Sequence, residues 1–205
     1  MSFLKQTLMA ALFVVVTLSS VNTSAAANTN TEAVTQKHST SSLNMDTLKA
    51  RYFDAAREGD SAMLAAFYQA GLEVNVADEK GYTALILAAY HGHTETVNFL
   101  IGEASANPCQ EDNRGNTALM GAIFKGHVSV AKQLVFADCN IDEENAQGQT
   151  ALMFASLFDR QEIINTLIDK GANPAHTDKA GNSVADIALS QGNYELAKLL
   201  SKDVE

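Results

Sequence analysis

Gly81, Gly115, Gly148 and Gly181 stand 34, 33 and 33 residues apart. A spacing near 33 that keeps recurring points to a stack of equal units, each adding to a shared core. The neighbours of each glycine hold the same register. Two residues later come Thr83, Thr117, Thr150 and Ser183, and seven later Ala88, Ala122, Ala155 and Ala188. Three residues earlier stand Asp78, Asp112, Asn145 and Asp178. An Asx side chain followed three residues on by Gly suits a tight turn, because the side chain bonds nearby amides while Gly takes the turn's φ. The Thr or Ser hydroxyl then suits the first position of a helix, where it accepts from an otherwise orphaned amide.

Short first helices are expected over 84–91, 118–125 and 151–158. Gly92, Gly126 and Gly192 fall where such helices stop. A second helix follows in each unit, with apolar residues spaced three or four apart on one face. These are Val97/Leu100, Val130/Leu134, Ile163/Ile164 with Leu167, and Leu196 with Leu199/Leu200.

Gly81-Tyr82-Thr83-Ala84-Leu85-Ile86-Leu87-Ala88-Ala89, with Gly92-His93 after it, resembles the ankyrin repeat. Gly126-His127 and Gly171-Ala172-Asn173-Pro174 add to the likeness. The resemblance covers about residues 46–203. It implies an all-α solenoid of helix pairs with short β-turn or hairpin fingers, about five units including caps. The sequence departs from the family pattern at two columns. Ala84, Ala118 and Ala151 replace its proline, and Ile86, Met120 and Met153 replace its histidine. Apolar packing has to stand in for the histidine bonds there, and Met fits irregular gaps. Asp159-Arg160 replaces the Gly-His turn of the fourth unit. The first unit carries Ala55-Ala56 and Gly59, and Asp46 is expected to cap its first helix. Glu195, Lys198 and Lys202 offer the last unit a polar outer face, which a terminal repeat needs.

Ahead of the repeats the composition changes. Lys5 is the sole charge in the first 27 residues, an apolar run spans Leu8 to Leu18, and Ala25-Ala26-Ala27 closes the stretch. The run is short for a membrane span, which takes about 20 residues. The pattern is that of a secretory signal peptide over 1–27, the alternative being an uncleaved N-terminal anchor. Residues 28–45 are rich in Thr, Ser and Asn and read as a disordered polar linker. The repeat domain then runs 46–205, divided near 46–78, 79–112, 113–145, 146–178 and 179–205.

The charge narrows the partner class. With 14 Lys+Arg against 24 Asp+Glu, the chain lacks the clustered cations that nucleic acid or anionic lipid require. Neither nucleic acid nor, once the leader is gone, a membrane is expected as a partner. Catalytic patterns are equally scarce. There is no His-Glu-x-x-His, Cys-x-x-Cys, phosphate loop or Gly-x-Ser-x-Gly elbow, so neither an enzyme nor a cofactor protein is expected. His91-Gly92-His93 has the look of a metal-ligand pair, but His93 and His127 also hold the structural turn position of the resembling family. Cys109 and Cys139 lie in adjacent units at unequal offsets, six and nine residues before their glycines. A bridge needs Cα atoms within about 7 Å, whereas adjacent units stack near ~10 Å, so the offset either closes the gap or widens it. A disulfide and two separate cysteines both stay open, with Cys139 at a small buried position of the pattern.

Ankyrin proteins bind other proteins through finger tips and the concave face of their first helices. By position, that resemblance implies Lys80, Tyr82, Arg114, Asn116 and Gln149 on the fingers. It implies Tyr90, His91, Phe124, Lys125, Leu157 and Phe158 on the helices. Tyr90, Phe124 and Leu157 sit nine residues after successive glycines, with Phe158 beside the last. Stacking turns them into an apolar row that either faces a partner or packs beneath the fingers. The chain therefore reads as an exported, non-catalytic, monomeric binding scaffold of the small periplasmic ankyrin type. That type includes proteins supporting a catalase in peroxide defence. The alternative is a carrier of haem or another small apolar ligand, touching Tyr90, His91 and Met120.

Overall fold

The computed structural model describes residues 45–202. The expected leader 1–27 and nearly all of the linker 28–45 lie outside them. Five helix pairs follow one another along the chain. They are α1 (Met45–Glu58) with α2 (Ser61–Gln69), α3 (Ala84–His91) with α4 (Thr94–Gly102), and α5 (Ala118–Lys125) with α6 (Val128–Val135). α7 (Ala151–Leu157) pairs with α8 (Gln161–Asp169), and α9 (Val184–Ser190) with α10 (Tyr194–Lys202). The fold is the all-α solenoid that the repeats predict. Strand structure among the described residues amounts to isolated bridges, Ala77 with Thr83 and Thr177 with Ser183.

Each first helix begins where its hydroxyl residue stands. Thr83 Oγ1 accepts from the Ile86 amide at 3.2 Å, and Thr117 and Thr150 accept from Met120 and Met153 at 3.4 Å. Ser183 does the same for Asp186, whose carboxylate accepts the Ser183 amide in return at 2.9 Å. Such a cap satisfies a donor that the first turn leaves without an intrahelical partner. The first unit differs from expectation, since Asp46 lies inside the first turn of α1 rather than ahead of it.

The turn between paired helices also ties each unit to the one before. His93 Nε2 donates to the Arg57 carbonyl at 2.7 Å, and His127 Nε2 to the Tyr90 carbonyl at 3.1 Å. Gly92 takes φ 81°, and a Cβ there would stand 2.6 Å from His127 Nδ1. Both the left-handed backbone and the close ring therefore demand glycine. The fourth unit makes the same turn with different residues. Asp159 adopts φ 51° in place of glycine, and Arg160 Nε donates to the Ile123 carbonyl at 3.3 Å. Helix α7 ends at Leu157 and not at 158.

The fingers form a ladder of their own. In each, one Asx oxygen accepts two amides: Asp78 from Lys80 and Tyr82, Asp112 from Arg114 and Asn116, Asn145 from Gln147 and Gln149. Backbone bonds join finger to finger, from the Asn113 amide to the Lys80 carbonyl at 3.0 Å and from Ala146 to Arg114 at 2.8 Å. Lys179 continues the row onto Gln147 at 2.9 Å. Gly81 is buried in this ladder, with the Asn113 amide 2.6 Å from where a Cβ would sit.

The core runs the length of the stack. Val97, Leu100, Val130, Leu134, Ile163, Ile164, Leu167, Leu196 and Leu200 are buried, whereas Leu199 faces outward. Ile86, Met120 and Met153 are buried as well, so side-chain contact fills the column where the family pattern has histidine. Cys109 and Cys139 form a disulfide across 5.5 Å between Cα atoms. The unequal offset thus brings the two loops together, and Cys139 is only half-buried in its loop.

Candidate functional site

A groove of about 830 Å³ runs along one side of the stack, walled by the fingers and floored by the first helices. The finger ladder holds the wall at a fixed distance from the floor, so the groove is preformed by the fold. Lys80, Tyr82, Arg114, Asn116 and Gln149 line it from the fingers, as position implies. Tyr90, His91 and Phe124 line it from the helices, whereas Lys125, Leu157 and Phe158 do not.

The wall residues differ in how free they are. Lys80 and Arg114 are exposed. Tyr82 is half-buried against the core. Asn116 and Gln149 belong to the ladder, where both amide oxygens accept from Asn145 Nδ2, at 3.1 and 3.2 Å. Asn116 Nδ2 also donates to Asp112 at 3.1 Å. These two amides hold the wall in shape, and the cationic side chains beside them reach into solvent.

The apolar row exists, with a different third member. Tyr90 and Phe124 stack at 6.1 Å and 16°, and Phe158 meets Phe124 edge-on at 5.0 Å. Leu157 instead packs half-buried on the core. The early end of α7 explains the exchange, because Phe158 caps the helix and turns toward Phe124. Tyr90 is 36% exposed and Phe124 41%, so two aromatic rings of the middle units meet solvent. Lys125 Nζ lies 5.1 Å from the Tyr90 ring centre, a cation over an aromatic face.

His91 is exposed, with its ring stacked 6.2 Å from that of His93. Partial burial first, and then the positive charges of His93, Arg57, Lys125 and His127, hold its pKa below the usual histidine value. His93 has its Nε2 on a backbone carbonyl, which removes one nitrogen from any ligand pair. Among the described residues, no group of three or more His, Cys, Asp or Glu is arranged to hold a metal ion. Met120, a candidate contact for a small apolar ligand, is 1% exposed, so little of it reaches the groove.

The sequence reading did not place Arg57, Phe154 or Gly121 in the groove. Arg57 reaches in from α1, with Nη2 3.6 Å from Asp78. Phe154 and Gly121 lie on the floor. Gly121 and Phe154 share one repeat position, six residues after Gly115 and Gly148, where the other units carry Leu87 and Ile187. Comparing that column down the repeats would have found them.

Known proteins share the pattern. The family described as ankyrin repeats (3 copies) matches residues 53–145 and again 125–205. The ankyrin repeat protein YahD of Escherichia coli (strain K12) is 27% identical over 196 residues, covering 77% of this chain and 98% of YahD. An ankyrin repeat-containing protein of Treponema pallidum is 32% identical over 131 residues, 64% of this chain and 44% of that protein. The human SH3 and multiple ankyrin repeat domains protein 2 is 26% identical over 151 residues, which is 74% of this chain and 8% of the human one. The chain thus spans nearly all of the first relative and under half of the other two.

Proposed function

The chain belongs to the ankyrin repeat family, and from that premise we propose that it is a non-catalytic scaffold that docks a partner protein in its concave groove. Ankyrin repeats mediate binding to other proteins, and the fold alone leaves the partner open. The observation that carries the reading is the aromatic row. Tyr90 and Phe124 are kept exposed on the floor of a groove whose shape the finger ladder maintains. Aromatic side chains on a rigid concave surface supply contact area at little entropic cost, which is the chemistry of an interface centre. The same rings do not form a closed apolar cavity, so a protein surface fits this groove better than an enclosed small ligand.

We further propose that the protein works after export, as a monomer in the periplasm. The charge-poor leader with its Ala25-Ala26-Ala27 end supports this. Its partner would then be another exported protein, and a catalase of peroxide defence is the first to test.

The experiment replaces Phe124 and Phe158 together with Ser and compares capture of partner from a periplasmic extract. Loss of capture with unchanged circular dichroism is the expected result. Full capture by a folded double variant would remove the groove from the reading.

A further inference from the structure

The docking groove is not uniform along its length. At the column six residues after each repeat glycine, the units carry Leu87, Gly121, Phe154 and Ile187. Three have large side chains and Gly121, in the second of these units, has none. Nothing in the fold requires glycine at this point. Gly121 lies inside α5, and its φ is not among the positive ones. A Cβ added there would meet Tyr90 Cδ2 at 3.8 Å and Tyr90 Cβ at 3.9 Å, which is ordinary contact. A helix interior disfavours glycine, which loses more backbone freedom on folding than any other residue. The missing side chain therefore opens a notch in the groove floor, beside Tyr90 and between Leu87 and Phe154.

The groove does not share the net charge of the molecule, since Arg57, Lys80 and Arg114 balance Asp78, Glu79 and Asp112 in its lining. The chain carries a formal charge of −10. Yet Lys80 and Arg114 stand on the wall and Lys125 over Tyr90, and among the described residues none of the three enters an ion pair. The nearby carboxylates are turned into the structure. Asp78 accepts the amides of its own finger and lies 3.6 Å from Arg57, while Asp112 accepts the amides of Arg114 and Asn116. Glu79 is the one carboxylate of the lining left exposed. On an acidic molecule, a neutral groove that holds unpaired cations beside engaged carboxylates repels acidic segments less than the rest of the surface and can pair with them.

Building on the docking function above, we propose that the groove receives an acidic segment of the partner protein, which seats one apolar side chain in the notch at Gly121. Lys80 and Arg114 face the flanking carboxylates, Lys125 adds its charge from beyond the lining where it lies over the Tyr90 ring, and Tyr90, Phe124 and Phe154 surround the anchor.

The test pans a random peptide display library against the full chain and measures each selected peptide on four proteins. These are the unaltered chain, Gly121→Leu, Lys80→Glu with Arg114→Glu, and Phe124→Ser with Phe158→Ser. Gly121→Leu should stay folded and melt no lower, since Leu87 already occupies the equivalent place. Selected peptides should combine Asp and Glu with a single aromatic or aliphatic residue. They should bind Gly121→Leu about tenfold or more weakly, since filling the notch removes the burial of one apolar side chain. The charge-reversed pair should weaken them further as salt is lowered. Basic peptides, or acidic ones indifferent to Gly121→Leu, would overturn the inference while leaving groove docking intact if they still need Phe124 and Phe158. Peptides indifferent to the Phe pair, or no binders at all, would overturn both.

Discussion

Tyr52 links the first helix to the first finger. Its ring is buried between Phe53 and Phe67, and its hydroxyl donates to the Val74 carbonyl at 2.9 Å. Burial pushes its pKa up to about 12. An acid whose pKa rises on folding contributes stability that is complete below its unfolded value, near 10, and is lost as pH climbs toward 12. Tyr52→Phe leaves the Val74 carbonyl without its donor and should cost about 1 kcal/mol at neutral pH. The stabilities of the two proteins between pH 9 and about 12 should then converge and cross, because the Phe variant has no hydroxyl to ionise and the unaltered chain loses more than the ~1 kcal/mol that separates them at neutral pH. Parallel curves would mean that Tyr52 titrates normally. His93, His127 and Arg160 act at the same scale, each gripping a carbonyl of the preceding unit. Arg160 shows that the grip needs a donor of suitable reach and not an imidazole, so the turn tolerates the loss of the Gly-His pair.

Among the elements, the loops before the second and third fingers are joined covalently by Cys109 and Cys139, which are 30 residues apart in the chain. Closing a loop of that size restricts the unfolded chain and is worth about 2–4 kcal/mol. Thermal or urea unfolding with and without reductant should differ by that amount in the unaltered chain and not at all in Cys109→Ala with Cys139→Ala. Equal stability in both states would show that the bridge does not constrain unfolding. The elements also show where sequence reading reaches its limit. Turn glycine, threonine cap and apolar face act within one unit, so period and spacing reveal them. The α3 and α5 boundaries at 84–91 and 118–125 follow directly. Contacts between units depend on how loops of unequal phase lie across the stack. The disulfide, the exchange of Leu157 for Phe158 and the reach of Arg57 all belong to that class. The groove rows were legible because equivalent positions stack, and the notch at Gly121 was missed because it is an absence within such a row.

At the scale of the molecule, each first helix packs on its neighbours in sequence, α1 on α3, α3 on α5, α5 on α7 and α7 on α9. Among the described residues the main packing is between adjacent units, so the groove exists only while the units it spans stay stacked. Its floor centres on α5, and α5 lies wholly between the two cysteines. The part of the chain that builds the centre of the groove is therefore a ring, closed by one sulfur–sulfur bond between the two residues where the backbone enters and leaves it. A protease that cuts once anywhere between residues 109 and 139 severs the backbone without dividing the molecule. On a gel run without reductant such a nicked protein should travel as one piece, and with reductant as two. Where proteases are abundant, the ring allows damage at the groove to be survived as a nick where an open chain would lose half its length.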